Sequence, residues 1–281
     1  MPQSMIAAQL YTVRQFTQTP ADLARTLRRI KQIGYDAVQV SAIGPIEPAE
    51  LARLLSGEGL TCCVTHSPYE RMRDQTQRVI EEHRTIGCEY AAIGGLPGTY
   101  RNAEGYHRFA RECSEVARAL RAGGLTFGYH NHSFELEKFD GRRGLDILID
   151  ESDPQAVTFE IDTYWIQHGG GDPAAWIDRL AGRCPLVHLK DMVVGKDTTS
   201  PPPARFAGEP EEQYQKRLEA HRAPRPIMAE VGEGNMNWSA ILAACRRAGV
   251  KWYIVEQDVC QRDPFESLAI SLRNLRAMGI Q

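Results

Sequence analysis

Short apolar runs alternate with amphipathic stretches along the whole chain. Met5–Val13 (MIAAQLYTV) reads as a strand that ends at Arg14. Pro20–Gly34 reads as a helix: Pro20 suits a first turn, Leu23, Leu27 and Ile30 recur at helical spacing, and Gly34 suits a stop. The same alternation predicts strands at Asp36–Ser41, Leu60–Thr65, Tyr90–Ile93 and Leu125–His132. Helices are expected at Pro48–Ser56, Glu70–Gly87, Ala103–Gly123 and Arg143–Ile149. Further strands are expected at Val157–Ile161, Leu186–Leu189 and Trp252–Val255. A helix opening at Asp172-Pro173 follows a Gly-rich turn, and Trp238–Gly249 and Asp263–Met278 read as the last helices.

Eight strand-then-helix units in 281 residues match the arithmetic of an α/β chain closed into a (β/α)8 TIM barrel. The strands are short and apolar, as strands covered on both faces are. A doubly wound open sheet is the rival, but no G-x-G-x-x-G follows the first strand. Residues 1–281 carry no composition shift that would mark two domains. The one break is a long loop insertion at about 194–226, rich in Pro, Arg, Glu and Thr, with an exposed helix expected at Glu211–His221. A loop of that length covers a site or is mobile.

Composition narrows the function classes. Thirty-three basic against 36 acidic residues give a formal charge of −3, which offers no basic field for nucleic acid or an anionic membrane. No apolar run approaches the ~20 residues of a membrane span. The N-terminal stretch MPQSMIAAQLYTV lacks a basic region followed by an apolar block, so no signal peptide is expected. Seven scattered cysteines without a Cys-x-x-Cys pair fit free thiols in a reducing, cytoplasmic setting.

In a barrel, reactive residues gather at the C-terminal strand ends. Those ends carry His66, His130 or His132, Asp162, His188 and Glu256, all residue types that bind divalent metals. Ligands must converge from several strands, because one strand cannot surround an ion. Mixed nitrogen and oxygen donors suit Mn²⁺, Co²⁺, Fe²⁺, Ni²⁺ or Zn²⁺ better than Ca²⁺. Strand alternation points His130 and His132 to one face, and Glu135 is close enough to fold back. His66 reads as a ligand or substrate contact, or as a hydrogen-bonded core histidine. Lys190 is a candidate for substrate oxygens, with an ion pair to Asp191 as its structural alternative. Trp165 and Tyr11 are candidate apolar walls for a bound ring, or core packing. His83, His107 and His221 lie on helical or loop segments and are expected to face solvent.

Seven motifs carry a family resemblance: QLYTVR at Gln9–Arg14, THSPY at Thr65–Tyr69, GYHNHSFE at Gly128–Glu135, EIDTYW at Glu160–Trp165, VHLKD at Val187–Asp191, GEGNMNW at Gly232–Trp238 and VEQD at Val255–Asp258. In this order they resemble the sugar phosphate isomerase/epimerase superfamily, the xylose isomerase-like TIM barrels. That superfamily includes tagatose 3-epimerases, inosose dehydratases, keto-glycoside-processing enzymes and, distantly, endonuclease IV. The resemblance implies one divalent metal, often Mn²⁺ (Mg²⁺ is a further option), held by one residue from each of strands five to eight. Asp162, His188 and Glu256 fall on the last three positions. His130 stands where the epimerases carry a glutamate, with His132 and Glu135 as nearby substitutes.

The chemistry so implied is proton abstraction next to the carbonyl of a keto-sugar or related polyol or cyclitol, with Glu256, His130 or His132 as the catalytic group. Reprotonation gives isomerisation or epimerisation. Loss of a β-oxygen substituent gives inosose dehydratase-like or keto-glycoside lyase activity, and the histidine in place of the glutamate makes that the runner-up. A non-catalytic sugar-binding barrel is a further alternative. DNA repair is disfavoured by the net charge and by Gly94-Gly95, where endonuclease IV has a histidine. A homo-oligomer is left open.

Overall fold

The computed structural model describes residues 5–280. Residues 1–4 of the N-terminal stretch read above for a leader lie outside the described residues. Eight parallel strands close into a barrel in sequence order: β1 (Met5–Gln9), β2 (Ala37–Val40), β3 (Thr61–His66), β4 (Tyr90–Ile93), β5 (Thr126–His130), β6 (Val157–Asp162), β7 (Leu186–Leu189) and β8 (Trp252–Val255). β8 pairs back onto β1, with Ala8 opposite Val255, so no sheet edge is left open. The helices pack around the outside, and the fold is the (β/α)8 barrel expected from the alternation of apolar runs.

Strand alternation builds two cores. Ala7, Ala37, Val64, Tyr90, Ala92, Leu186 and Ile254 form a small apolar cluster inside the barrel. Outward-facing residues such as Val38, Phe127, Phe159, Ile161, Val187 and Val255 join the helices in a much larger one. Along the inward face of each strand the chemistry changes with height. Two residues beyond Ala37, Leu186 and Ile254 stand Gln39, His188 and Glu256, all buried. The register places Asp162 beside His188, and His130 beside Glu160. The barrel is thus plugged by carbon below and filled with polar side chains above.

Several boundaries differ from the sequence reading. The first strand stops at Gln9, not Val13. Leu10–Phe16 turns into a 3-10 helix whose Leu10 and Val13 are still buried, so the apolar run continued past the strand. The helix read as Glu70–Gly87 is two, Tyr69–Asp74 and Thr76–Ile86, broken at Gln75. β5 ends at His130, two residues early. A short helix, Thr163–His168, occupies part of the stretch read as a turn; Asp162 Oδ1 caps it by accepting from Trp165 N–H at 2.9 Å. Asp191–Gly195 and Arg225–Ala229 pair as an antiparallel ribbon, which ties off the long loop at its base, and Glu211–Arg222 is a surface helix with only Leu218 buried.

One histidine contradicts its sequence reading. His83 is buried, because its ring is held by Thr65 Oγ1 and Val79 O, each at 2.7 Å. Six of the seven cysteines are buried and all are free. Among the described residues no helix is long and apolar enough to cross a membrane.

Candidate metal centre

Four strand ends deliver the centre of the site. Asp162 closes β6, fully buried; with Oδ1 spent on the helix cap, Oδ2 faces the barrel axis. There it meets His130 Nε2 at 3.3 Å and His188 Nδ1 at 3.8 Å. His188 Nδ1 lies 2.9 Å from Glu256 Oε2, just beyond β8. His130 is steadied from outside by Gly94 O, 3.3 Å from its Nδ1. The donor atoms of His130, Asp162, His188 and Glu256 all lie within 4.8 Å of one another. Of the other strand-end candidates, His132 stays outside this group and His66 falls with Glu160 and His188 in a second group of donor atoms at the same spacing.

Lys190 belongs to the same cluster. Its Nζ, fully buried, lies 3.1 Å from Asp162 Oδ2, 2.8 Å from Glu256 Oε2 and 2.6 Å from Asp258 Oδ2. The alternative pairing with Asp191 does not form. Asp191 points to the other side of the chain, where its carboxylate accepts from the backbone N–H groups of Gly232 and Gly234 and from the Trp238 indole. Neighbours on an extended chain face opposite ways.

The electrostatics favour a cation. Glu160, Asp162 and Glu256, all held below the usual carboxylate range, outnumber the Lys190 ammonium among them, while burial raises Asp258 on its far side. Burial alone would raise Glu256 and Asp162, but Lys190 with His188 for the first, and Lys190 with His130 for the second, hold both below the usual carboxylate range. Burial pushes His188 down, yet Glu160 and Glu256 outweigh it and lift it to about 10. Without a metal, His188 therefore carries a proton that partly offsets the excess. Two imidazole nitrogens and two carboxylate oxygens at this spacing, in a pocket short of positive charge, fit a divalent ion. Displacing the His188 proton is part of binding it.

Above the cluster opens a cavity of about 210 Å³, lined by Tyr11, Ser41, His66, Gly94, His130, His132, Glu256 and Asp258. His132 lies past the end of β5, its ring edge-on to His130 at 5.0 Å, outside the four-donor set. Burial, reinforced by His130, lowers it to about 3, so it is neutral at pH 7, and its buried Nδ1 has no hydrogen-bond partner. Tyr11 is half-exposed under the Arg14 guanidinium, 4.1 Å from the ring centre. Trp165 flanks the cluster, its ring 5.5 Å from both His132 and Lys190 Nζ.

Glu135 does not reach the cluster. It is fully buried, accepting from Tyr129 O–H at 2.9 Å and from His132 N–H at 2.9 Å, and burial raises it to about 7. Glu160 and Gln39 contact His188, and the sequence reading did not single them out. Glu160 precedes Asp162 by two and Gln39 follows the inward Ala37 by two, and that same-face spacing was the available signal.

The model of the xylose isomerase-like TIM barrel family matches residues 27–278, and the chain belongs to that family. An inosose dehydratase of Geobacillus kaustophilus (strain HTA426) is 25% identical over 198 residues, 60% of this chain and 61% of that protein. An inosose dehydratase of Geobacillus thermodenitrificans (strain NG80-2) is 26% identical over 146 residues, 51% of this chain and 44% of that protein. The match thus spans less than two thirds of the length of either relative. Among solved structures, a sugar phosphate isomerase/epimerase from Parabacteroides distasonis ATCC 8503 superposes with a TM-score of 0.75 at 19% identity, covering 100% of this chain and 96% of its own. An L-ribulose 3-epimerase superposes at 0.69 with 16% identity, covering 99% and 95%. Both establish the likeness in fold.

Proposed function

We propose that this chain is a divalent-metal-dependent enzyme that removes a proton next to the carbonyl of a keto-sugar or cyclitol. The observation that carries the proposal is the convergence of His130, Asp162, His188 and Glu256 beneath a cavity of about 210 Å³. Mn²⁺ is the ion proposed first. Bound there, it would act as a Lewis acid toward the carbonyl and the developing oxyanion.

The remaining work falls to the chain. Asp162 and His188 are held too deeply to move a substrate proton, since both are fully buried and tied to neighbours. Glu256 and His132 line the cavity. Glu256 is the proposed base for the C–H proton. His132, neutral and with a free ring nitrogen, is the proposed partner on the facing side. Tyr11, His66 and Trp165 would hold the ring, and Lys190 would fix Asp162 and Glu256 in place.

Return of the proton to carbon gives isomerisation or epimerisation. Loss of a β-hydroxyl or β-glycosidic oxygen gives dehydration or lyase activity. One observation favours this second reading: Glu256 faces imidazoles, not a second glutamate, and the curated relatives are inosose dehydratases.

The test is incubation of the Mn²⁺-loaded chain in D₂O with an inosose and a panel of keto-sugars, followed by NMR. The proposal expects deuterium at the carbon next to the carbonyl, or an unsaturated product if elimination follows. No exchange and no product across the panel, with metal bound, would count against it.

A further inference from the structure

Glu160 lies outside the four-donor set yet is fully buried directly below it. Its Oε2 is 2.7 Å from His66 Nε2 and 3.3 Å from Gln39 Nε2; its Oε1 is 3.2 Å from His188 Nε2. His188 Nε2 is also 2.6 Å from Gln39 Oε1. The Gln39 amide therefore accepts from His188 and donates to Glu160. That fixes the orientation of the amide, and Glu160 Oε2 accepts from both Gln39 Nε2 and His66 Nε2.

A carboxylate can only accept, so His66 Nε2 must carry the hydrogen of that contact. In a neutral imidazole the other nitrogen is then a bare acceptor. His66 Nδ1 sits on the cavity side. Ser41 Oγ is at 3.4 Å, the long limit of a hydrogen bond, and a Cβ placed on Gly94 would stand 3.1 Å away. The missing side chain at Gly94 is what leaves Nδ1 uncovered. His66 and Gly94 also line the adjoining cavity of about 460 Å³, so the two spaces share this residue pair.

We propose that Glu160 is a positioning residue that locks His66 in its Nε2–H tautomer, so that Nδ1 is presented to the cavity as an acceptor for a substrate hydroxyl group. The identity of the donor rests on the reading of the cavity as a sugar or cyclitol site; the lock rests only on the network. Two consequences follow from the chemistry. A hydroxyl is matched at this wall, whereas an ionised carboxylate or sulfate would set acceptor against acceptor. Glu160 Oε1 also lies 3.2 Å from His188 Nε2, whose hydrogen bond goes to Gln39 Oε1, so the carboxylate holds the substrate-facing histidine directly and the metal-donor histidine through Gln39 and its charge.

The experiment is long-range ¹H–¹⁵N NMR of the histidine rings in the full chain, metal-free and loaded with Zn²⁺, with His66→Asn to assign the resonance. The proposal expects the Nε2–H tautomer at neutral pH; an Nδ1–H ring, or one protonated on both nitrogens, overturns it. Glu160→Gln replaces an obligate acceptor with a group that can donate, and is expected to raise the Nδ1–H population; an unchanged tautomer overturns the role of Glu160. If that variant does not fold, the wild-type tautomer still decides. Xylitol and sulfate are then titrated separately into the Zn²⁺-loaded chain. Xylitol is expected to move the Nδ1 resonance upfield and sulfate, which has no hydrogen to donate, to leave it in place; a response to sulfate, or to neither, overturns the hydroxyl assignment. Zn²⁺ binding itself tests the metal reading. A chain that binds no Zn²⁺ but shows the Nε2–H ring ends that reading and supports the lock.

Discussion

At the N-terminal ends of the strands lies a cavity of about 220 Å³, lined by Tyr90, Thr126, Thr158, Gly182, Cys184, Pro185, Ala248, Gly249 and Lys251. At the C-terminal ends lies one of about 210 Å³, with three histidines and two carboxylates in its wall. Size does not separate them; desolvated charge does. Lys251 is exposed and donates to Tyr90 O–H at 3.2 Å, an arrangement that water can replace. Lys190 is fully buried against three carboxylates, and those partners are what chiefly keep its charge tolerable. Burying several like-signed groups together costs stability that packing alone would not require. The end of the barrel that bears this cost is the end where chemistry is expected.

The sharpest break of the comparison is ligand removal. Asp162→Ala or His188→Ala is expected to abolish metal binding in calorimetry and to leave activity below about 1%. Lys251→Met at the other end should leave both unchanged.

Stability comes next. Without metal, Lys190→Met strands carboxylates that it now pairs, and urea unfolding is expected to show a loss of about 3–5 kcal/mol. Lys251→Met should stay within about 0.5 kcal/mol. Equal losses would erase the distinction between the two ends.

The two ends should also part in pH. His188 is raised to about 10, so the stability it contributes in the metal-free chain is present below about 6.5 and lost as pH rises through about 10. Asp162, Glu160 and Glu256 are depressed, so their contribution is present above about 4 and lost as pH falls through their folded values. Because the metal must displace the His188 proton, its affinity should rise by up to about tenfold per pH unit between about 6.5 and 10. A pH-independent affinity would contradict that ligand assignment.

The smallest expected effect on the metal comes from below the donor set. Glu160→Gln should weaken metal binding by about 10–100-fold in competition titration, through loss of the contact that steadies His188.

Much of this was legible in the chain. Tyr90–Ile93, Leu186–Leu189 and Trp252–Val255 read to the residue, because each apolar run is as long as its strand and is bounded by polar or turn residues. Met5–Val13 read too long, because Leu10 and Val13 are buried from a 3-10 turn and hydrophobicity alone does not distinguish that from extended chain. Asp162, His188 and Glu256 were visible as chemistry at strand ends. Glu160 and Gln39 were not, since a polar residue inside an apolar run declares itself only when the inward face is known. His83 was misread as solvent-facing because its partner Thr65 is 18 positions away, on another element. Lys190 read as a contact for substrate oxygens, with its neighbour Asp191 as the alternative partner, but strand alternation sends the two to different sides and Lys190 meets Asp258 instead.

The most direct test of the central claim is anomalous diffraction from crystals of the chain soaked in Mn²⁺. The account predicts one strong peak, at coordination distance from His130, Asp162, His188 and Glu256 together, with the His188–Glu160 contact kept behind it. No peak there, with Lys190 and a protonated His188 still neutralising the carboxylates, would contradict it.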